Sequence, residues 1–211
     1  MIAAATALVL LGGSILPFLN PLFVRFEQDR TGVGQLTGYA PTDLDRVASR
    51  LLADLVLWQA DFDVSVNGWQ VLRPAEVGHM RDVRGVFAGL FGLVAAAIVV
   101  LIVAFRRGRG TEARAAAWRA VAGGARGLAI AIAVVSTFVV FAFDAAFEVF
   151  HRLFFATGSY TFDPRTDKLV QLFPEAFWSE TAVFVGVVAL LASIGTWLVA
   201  RARARRPMSV A

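Results

Sequence analysis

The chain has 211 residues, 58% of them hydrophobic, and a mean hydropathy of +0.67, too apolar for an ordinary soluble domain and sized for one membrane bundle with modest loops. Cysteine is absent, which excludes disulfides, thiolate metal sites and a cysteine acyl-enzyme. The formal charge of +4 sits in short arginine blocks beside apolar segments, a pattern that speaks against nucleic-acid binding.

In chain order, Met1 to Val24 is an apolar run without a charged side chain. It lacks the basic region and small-residue cleavage site of a signal peptide, so it reads as a first transmembrane helix over about residues 2–23, which Pro17 and Pro21 kink or end. Residues 24–84 are polar and form an outer loop or cap. Within it, PTDLDRVASRLLADLVLWQ predicts an amphipathic helix capped by Thr42 or Asp43, with Leu44, Val47, Leu51, Leu52, Leu55 and Val56 at helical spacing. FDVSVNGWQVLRP alternates around Asn67-Gly68, the type I′ signal of a small β-hairpin. In PAEVGHMRDVRG, Glu76, His79 and Asp82 are spaced i, i+3, i+6 and share one helix face.

A second apolar run covers about 85–105, a basic connection 106–126, and a third run 127–150. The third run ends in FAFDAAFEVFHRLFF, which sets Asp144, Glu148 and His151 at i, i+4, i+7 along one stripe. Ionisable groups at that depth mark function by default, although Glu148 is expected in a structural ion pair with Arg152 or an outer-loop arginine. A second outer segment spans 151–180, where Pro174-Glu175 predicts the start of an interfacial helix. A fourth run, 181–200, precedes the tail 201–211. The expected fold is an all-α polytopic membrane protein, one domain built as a four-helix bundle with a small extracytoplasmic cap of helix and hairpin.

The connection from Arg106 to Arg126 has six arginines against one glutamate, and the tail has four arginines and no acid, so both are expected in the cytoplasm together with both termini. The same arginines are expected to touch anionic lipid headgroups. His79 and His151, the only histidines, then lie at the same outer membrane surface.

Three blocks carry a family resemblance: HMRDV before one membrane helix, FDxxFxxFHxxFF at the end of the next, and LVQLFPEAFW before the last. Together with the four-run layout, they resemble the lipoprotein intramolecular transacylase family, integral membrane proteins of bacteria. The resemblance implies movement of a fatty acyl chain within a diacylated lipoprotein, from the glyceryl sn-2 oxygen to the α-amino group of its N-terminal cysteine, giving the lyso-form. It also implies a site of His79 with Asp82 and His151 with Asp144. Tyr160 stands where the family pattern leads one to expect Trp.

Such a transfer needs a deprotonated amine, a stabilised oxyanion and a proton for the leaving alkoxide. The amine belongs to the substrate, so no enzyme nucleophile, cofactor or metal is required. One histidine would act as base and the other as oxyanion donor or acid, each held in one tautomer by a carboxylate, with Glu76 in support of His79. His79 is the favoured base and His151 faces the ester, with the reverse assignment left open. Phe150, Phe154, Phe155, Phe173, Phe177 and Trp178 form either an interfacial belt or a slot for acyl chains. Expected partners are the lipoprotein and membrane lipid, not nucleic acid. The alternatives are a zinc hydrolase using both histidines with an acidic ligand, which lacks an HExxH motif, and a non-catalytic docking protein.

Overall fold

The computed structural model describes residues 1–108 and 110–205; Arg109 of the basic connection and residues 206–211 of the basic tail lie outside the described residues. Helix α1 (Ile2–Ile15) closes with a 3-10 turn (Leu16–Phe18), and the chain restarts as α2 (Pro21–Arg30). The restart follows from local chemistry. Pro21 has no N–H to continue a ladder and takes the first helical position, while Asn20 caps α2 by accepting the Phe23 N–H at 3.0 Å. The first apolar run is therefore two helical pieces rather than one helix over 2–23.

Helix α3 (Val33–Thr37) leads to α4 (Pro41–Leu57). Ala40 occupies the N-cap and Pro41 the first turn, so the helix begins ahead of the expected caps and Asp43 instead lies in the first turn. Leu44, Val47 and Leu51 are buried, Leu52 and Leu55 half-buried, and Val56 exposed, which makes the apolar stripe narrower than its sequence spacing suggests. Strands β1 (Ser65–Val66) and β2 (Trp69–Gln70) pair antiparallel, Ser65 opposite Gln70 and Val66 opposite Trp69. Asn67 and Gly68 take φ of +53° and +82° at the turn, as the Asn-Gly pair predicts.

The remaining elements are α5 (Pro74–Arg107), α6 (Thr111–Phe141), α7 (Phe143–Phe154), α8 (Lys168–Leu172) and α9 (Glu175–Arg205). Three of them, α5, α6 and α9, are long and apolar enough to cross a membrane, and Ile2–Phe18 with Pro21–Arg30 is a fourth candidate when taken as one span. Large apolar side chains such as Leu93, Val99, Ile130, Val134 and Leu191 are exposed, the surface that lipid covers in a helical membrane protein. The third apolar run is not one helix to 150. Ala142 leaves helical geometry (φ −146°, ψ 51°) and starts α7, although no proline or glycine marks the place.

The chain divides into two compact units. One comprises Met1–Ile15, Leu90–Thr137 and the chain from Phe184 onward. Here α1 meets α6 at Gly124, where an added Cβ would run into the Ala3 backbone, so the helices approach as closely as glycine permits. The other comprises Leu16–Gly89 and Phe138–Val183. Its core joins Leu44, Val47 and Leu51 of α4 to Val64, Val66, Val71 and Leu72 around the hairpin, Met80 of α5, and Leu169 and Leu172 of α8. Each such side chain contributes about 1.5–3 kcal/mol on burial. Polar ties fix the smaller helices. The Gln28 side chain donates to the Leu172 carbonyl at 3.0 Å, and Arg30 donates to Glu180 at 2.6 and 2.9 Å. This unit carries both histidines.

Candidate active site

The two histidines, 72 positions apart in sequence, meet as a stacked pair, with ring centroids 5.9 Å apart and planes 21° from parallel. His79 lies in the second turn of α5 and His151 in the last turn of α7, and both are buried. Aromatic rings close around them. Phe155 touches both, at 4.7 Å from His79 and 5.4 Å from His151. Phe162 stands 5.6 Å from His79, while Phe147, Tyr160 and Phe150 lie 4.1, 5.0 and 5.5 Å from His151.

The two rings differ in their polar partners. His151 places Nδ1 2.7 Å from the Phe147 carbonyl, which can only accept, so Nδ1 carries the proton and Nε2 is left for chemistry. The orienting group is thus a backbone carbonyl one turn back rather than Asp144. For His79, Nδ1 is buried without a hydrogen-bond partner. That ring sits in a setting with little solvent and nothing to support a cation at Nδ1, so burial favours the neutral imidazole.

His79 also lines an open cavity of about 630 Å³, together with Asp82, Glu76, Arg73, Arg81 and the loop residues Ser159 and Thr161. Most charges around it are already engaged. Glu76, 1% exposed, accepts the Arg73 N–H at 2.7 Å and the Leu169 N–H at 2.6 Å, so one carboxylate caps the starts of both α5 and α8. That makes Glu76 a structural clamp rather than a partner of His79. Asp167 takes Arg73 at 2.6 Å and the Asp163 N–H at 2.7 Å. Arg81 is held by Asp61, whose carboxyl is kept below the usual carboxylate range first by its hydrogen bonds from Arg81 and then by Arg84. Asp82, one turn from His79, has neither an ion pair nor a hydrogen bond among the described residues, and its charge acts on the His79 ring.

Asp144 is exposed in the first turn of α7, its carboxyl against that of Glu175 in the first turn of α9. Acids at helix starts are favoured by the dipole, which explains both without a catalytic role. Glu148 pairs with Arg152 at 2.7 Å, as the spacing predicts, and receives the Tyr160 hydroxyl at 3.4 Å. Of the expected aromatic lining, Phe150, Phe154 and Phe155 belong to the histidine cluster, whereas Phe173 and Trp178 pack with Phe177, at 5.2 and 5.3 Å, and Phe173 lies against the core. Phe147, Tyr160 and Phe162 were not singled out for the site by sequence. Phe147 stands one turn before His151 on the same helix, the spacing that could have found it; Tyr160 and Phe162 come from the following loop, where periodicity gives no signal. Among the described residues, no group of three His, Cys, Asp or Glu side chains is placed to hold a metal ion.

The sequence model of the family described as lipoprotein intramolecular transacylase Lit matches residues 1–178. No curated protein sequence matches the chain. Among solved structures, the fold is similar to the membrane integral lipoprotein intramolecular transacylase Lit from Bacillus cereus, with a TM-score of 0.79 and 16% identity over 96% of this chain and 92% of that one. Two histidine variants of the same Bacillus cereus protein, to arginine and to alanine, align with TM-scores of 0.73 and 0.72, again at 16% identity, over 96% and 95% of this chain and 88% and 89% of theirs.

Proposed function

The chain belongs to the lipoprotein intramolecular transacylase family, and on that premise we propose that it moves an acyl chain from the glyceryl sn-2 oxygen of a diacylated lipoprotein to the α-amino group of the same molecule's N-terminal cysteine. The observation that carries this reading is the stacked His79–His151 pair beside a polar cavity on one side and a phenylalanine-rich wall on the other. The cavity suits the peptide end of the substrate and the wall its acyl chains. Asp82, the unengaged acid of the cavity, is positioned to hold the α-amino group as an ammonium, which gives up its first proton to solvent before the attack.

His79, whose Nδ1 has no hydrogen-bond partner, then takes a proton from the neutral amine as its nitrogen attacks the ester carbonyl. His151 in its doubly protonated form, with Nδ1–H held by the Phe147 carbonyl, gives its Nε2 proton to the oxygen side of the tetrahedral intermediate. The N–C(acyl) bond forms, the acyl C–O bond breaks, and the proton lost by the amine is balanced by the one gained by the glyceryl oxygen. Having both reacting groups on one molecule supplies much of the rate, so the protein needs to fold the substrate and handle two protons. The basic connection and tail support a bacterial cell membrane location with both on the cytoplasmic side and the histidines at the outer face.

The test is expression in a bacterial strain lacking N-acylating enzymes, with lipoprotein N-termini read by mass spectrometry. The lyso-form should appear with the native chain and vanish with His79→Ala and with His151→Ala. Lyso-form produced at native levels by either variant would defeat the mechanism, and its absence with the native chain would defeat the function.

A further inference from the structure

The other compact unit holds a second, open cavity, of about 360 Å³, bordered by four exposed arginines: Arg119 and Arg126 from α6, and Arg201 and Arg205 from α9. No acid lines it, and none of the four has an ion pair among the described residues. The sequence builds it from two helical stripes. Arg119 and Arg126 are seven apart on α6, with Ala122 and Gly123 between them; Trp197, Arg201 and Arg205 follow at successive turns of α9. Ala122, Gly123 and Ala204 complete the lining. Within the lining, Arg201 lies over the Trp197 ring at 5.6 Å.

The helix dipole explains arginines in the last turn of α9, but not Arg119 and Arg126, which lie well inside α6. Diffuse attraction to a charged surface would be served by arginines pointing anywhere, and does not call for a shared cavity. Four like charges bordering one hollow, with no acid among its lining, make it attractive to an anion, and a phosphate offers the oxygens that planar guanidinium groups bind in pairs. The cavity also lies where the apolar stretches of α6 and α9 give way to charge, the level of lipid headgroups.

We propose that this cavity is a discrete binding site for a phosphate-bearing anion, filled in the membrane by the headgroup of an anionic phospholipid. The site is independent of the histidine pair and of the acyl-transfer reading.

The experiment uses the full chain, delipidated in nonionic detergent and titrated at low ionic strength with phosphatidylglycerol, phosphatidylcholine or inorganic phosphate. Binding is followed by tryptophan fluorescence, to which Trp197 reports, and by native mass spectrometry. Phosphatidylglycerol should bind saturably, and the double variant Arg119→Gln/Arg201→Gln should weaken it about tenfold or more, the loss expected for one or two charge-assisted contacts. Arg106→Gln/Arg114→Gln removes the same charge outside the cavity and should change affinity less than about twofold. Binding of inorganic phosphate with the same arginine dependence supports the site and assigns it to a soluble anion as well. Equal losses in the two double variants, or equal affinity for phosphatidylcholine, would overturn the proposal by showing a diffuse field. Should Arg119→Gln/Arg201→Gln lower the melting temperature of the lipid-free protein, Arg126→Lys/Arg205→Lys repeats the comparison with charge kept and paired geometry lost.

Discussion

Replacing Glu76 separates holding the site together from doing its chemistry. Its carboxylate accepts two backbone N–H groups, at 2.7 Å from Arg73 and 2.6 Å from Leu169, and has 1% of its surface exposed. Hydrogen bonds to a charged acceptor are worth roughly 1.5–3 kcal/mol each. Glu76→Ala removes both and leaves two buried donors unmet, a loss of about 3–6 kcal/mol. Glu76→Gln keeps one acceptor but turns an amide NH₂ toward the other donor, for a loss of about 2 kcal/mol. In a chain of this size that corresponds to a fall in melting temperature of roughly 4–8 °C. The assay is thermal unfolding of the detergent-solubilised protein by tryptophan fluorescence, paired with lyso-lipoprotein formation per folded molecule at a temperature where the variant remains folded. Glu76→Gln should lower the melting temperature and keep most of its activity per folded molecule. An unchanged melting temperature with activity reduced a hundredfold would refute the clamp and return Glu76 to the chemistry of His79.

The other acids should behave differently. Asp82→Asn should leave thermal stability unchanged and raise KM about tenfold, the weight of one charged contact to the amine, measured by initial rates on a synthetic diacylated lipopeptide; an unchanged KM would remove Asp82 from the amine site. Asp144→Asn should keep activity within about threefold, because its exposed carboxyl at a helix start is worth under about 1 kcal/mol; loss of activity in the same lipopeptide assay would restore the expected link to His151. Asp61, whose folded carboxyl titrates below its unfolded value, ties residues 60–62 to α5 through Arg81 and Arg84. Its contribution is complete above the unfolded pKa near ~4 and is lost as the pH falls below it. Limited proteolysis near Trp58 should be flat from about pH 5 to 8 and rise under stronger acid, with the rise shifted or absent in Asp61→Asn. Chelators should leave the transfer rate unchanged, and a rate lost to chelation and restored by zinc would favour the hydrolase alternative.

What could be read from sequence was what depends on near neighbours. Apolar length marked the membrane helices, Asn67-Gly68 marked the hairpin turn, and four-residue spacing paired Glu148 with Arg152. The meeting of His79 and His151 was reached through charge bias of the loops, which says on which side two segments emerge but not how they touch. Contacts made across the fold stayed hidden. The second donor to Glu76 comes from Leu169, 93 residues on, and the neighbour of Asp144 is Glu175, not the His151 on its own stripe. The break at Ala142 carries no residue signal, so the apolar run reads in sequence as one helix to 150, whereas Asp144, Glu148 and His151 keep their stripe on the separate helix α7. Periodicity places a side chain on a face; only packing decides what that face meets.

The pairing of the rings bears on how one site can act as base and acid at once. Two imidazolium ions with centroids 5.9 Å apart would repel by about 3 kcal/mol at an effective dielectric of about 20. That is enough to disfavour the doubly protonated state a hundredfold, so the pair holds one proton more readily than two. Nothing around His79 Nδ1 accepts or donates, while the Phe147 carbonyl supports an N–H on His151, so a single shared proton is better placed on His151. A neutral His79 beside a charged His151 is the combination acyl transfer requires: a base at the amine and a donor at the oxygen. After one turnover His79 has gained the proton that His151 has lost, and the starting state returns by moving one proton between stacked rings. A substitution that keeps His79 but removes proton exchange at the second ring, His151→Gln, should therefore fail as completely as His151→Ala, even though its side chain can still hydrogen-bond the substrate. Measurable lyso-form from His151→Gln would show that His151 only polarises the ester and that the proton leaves by another route.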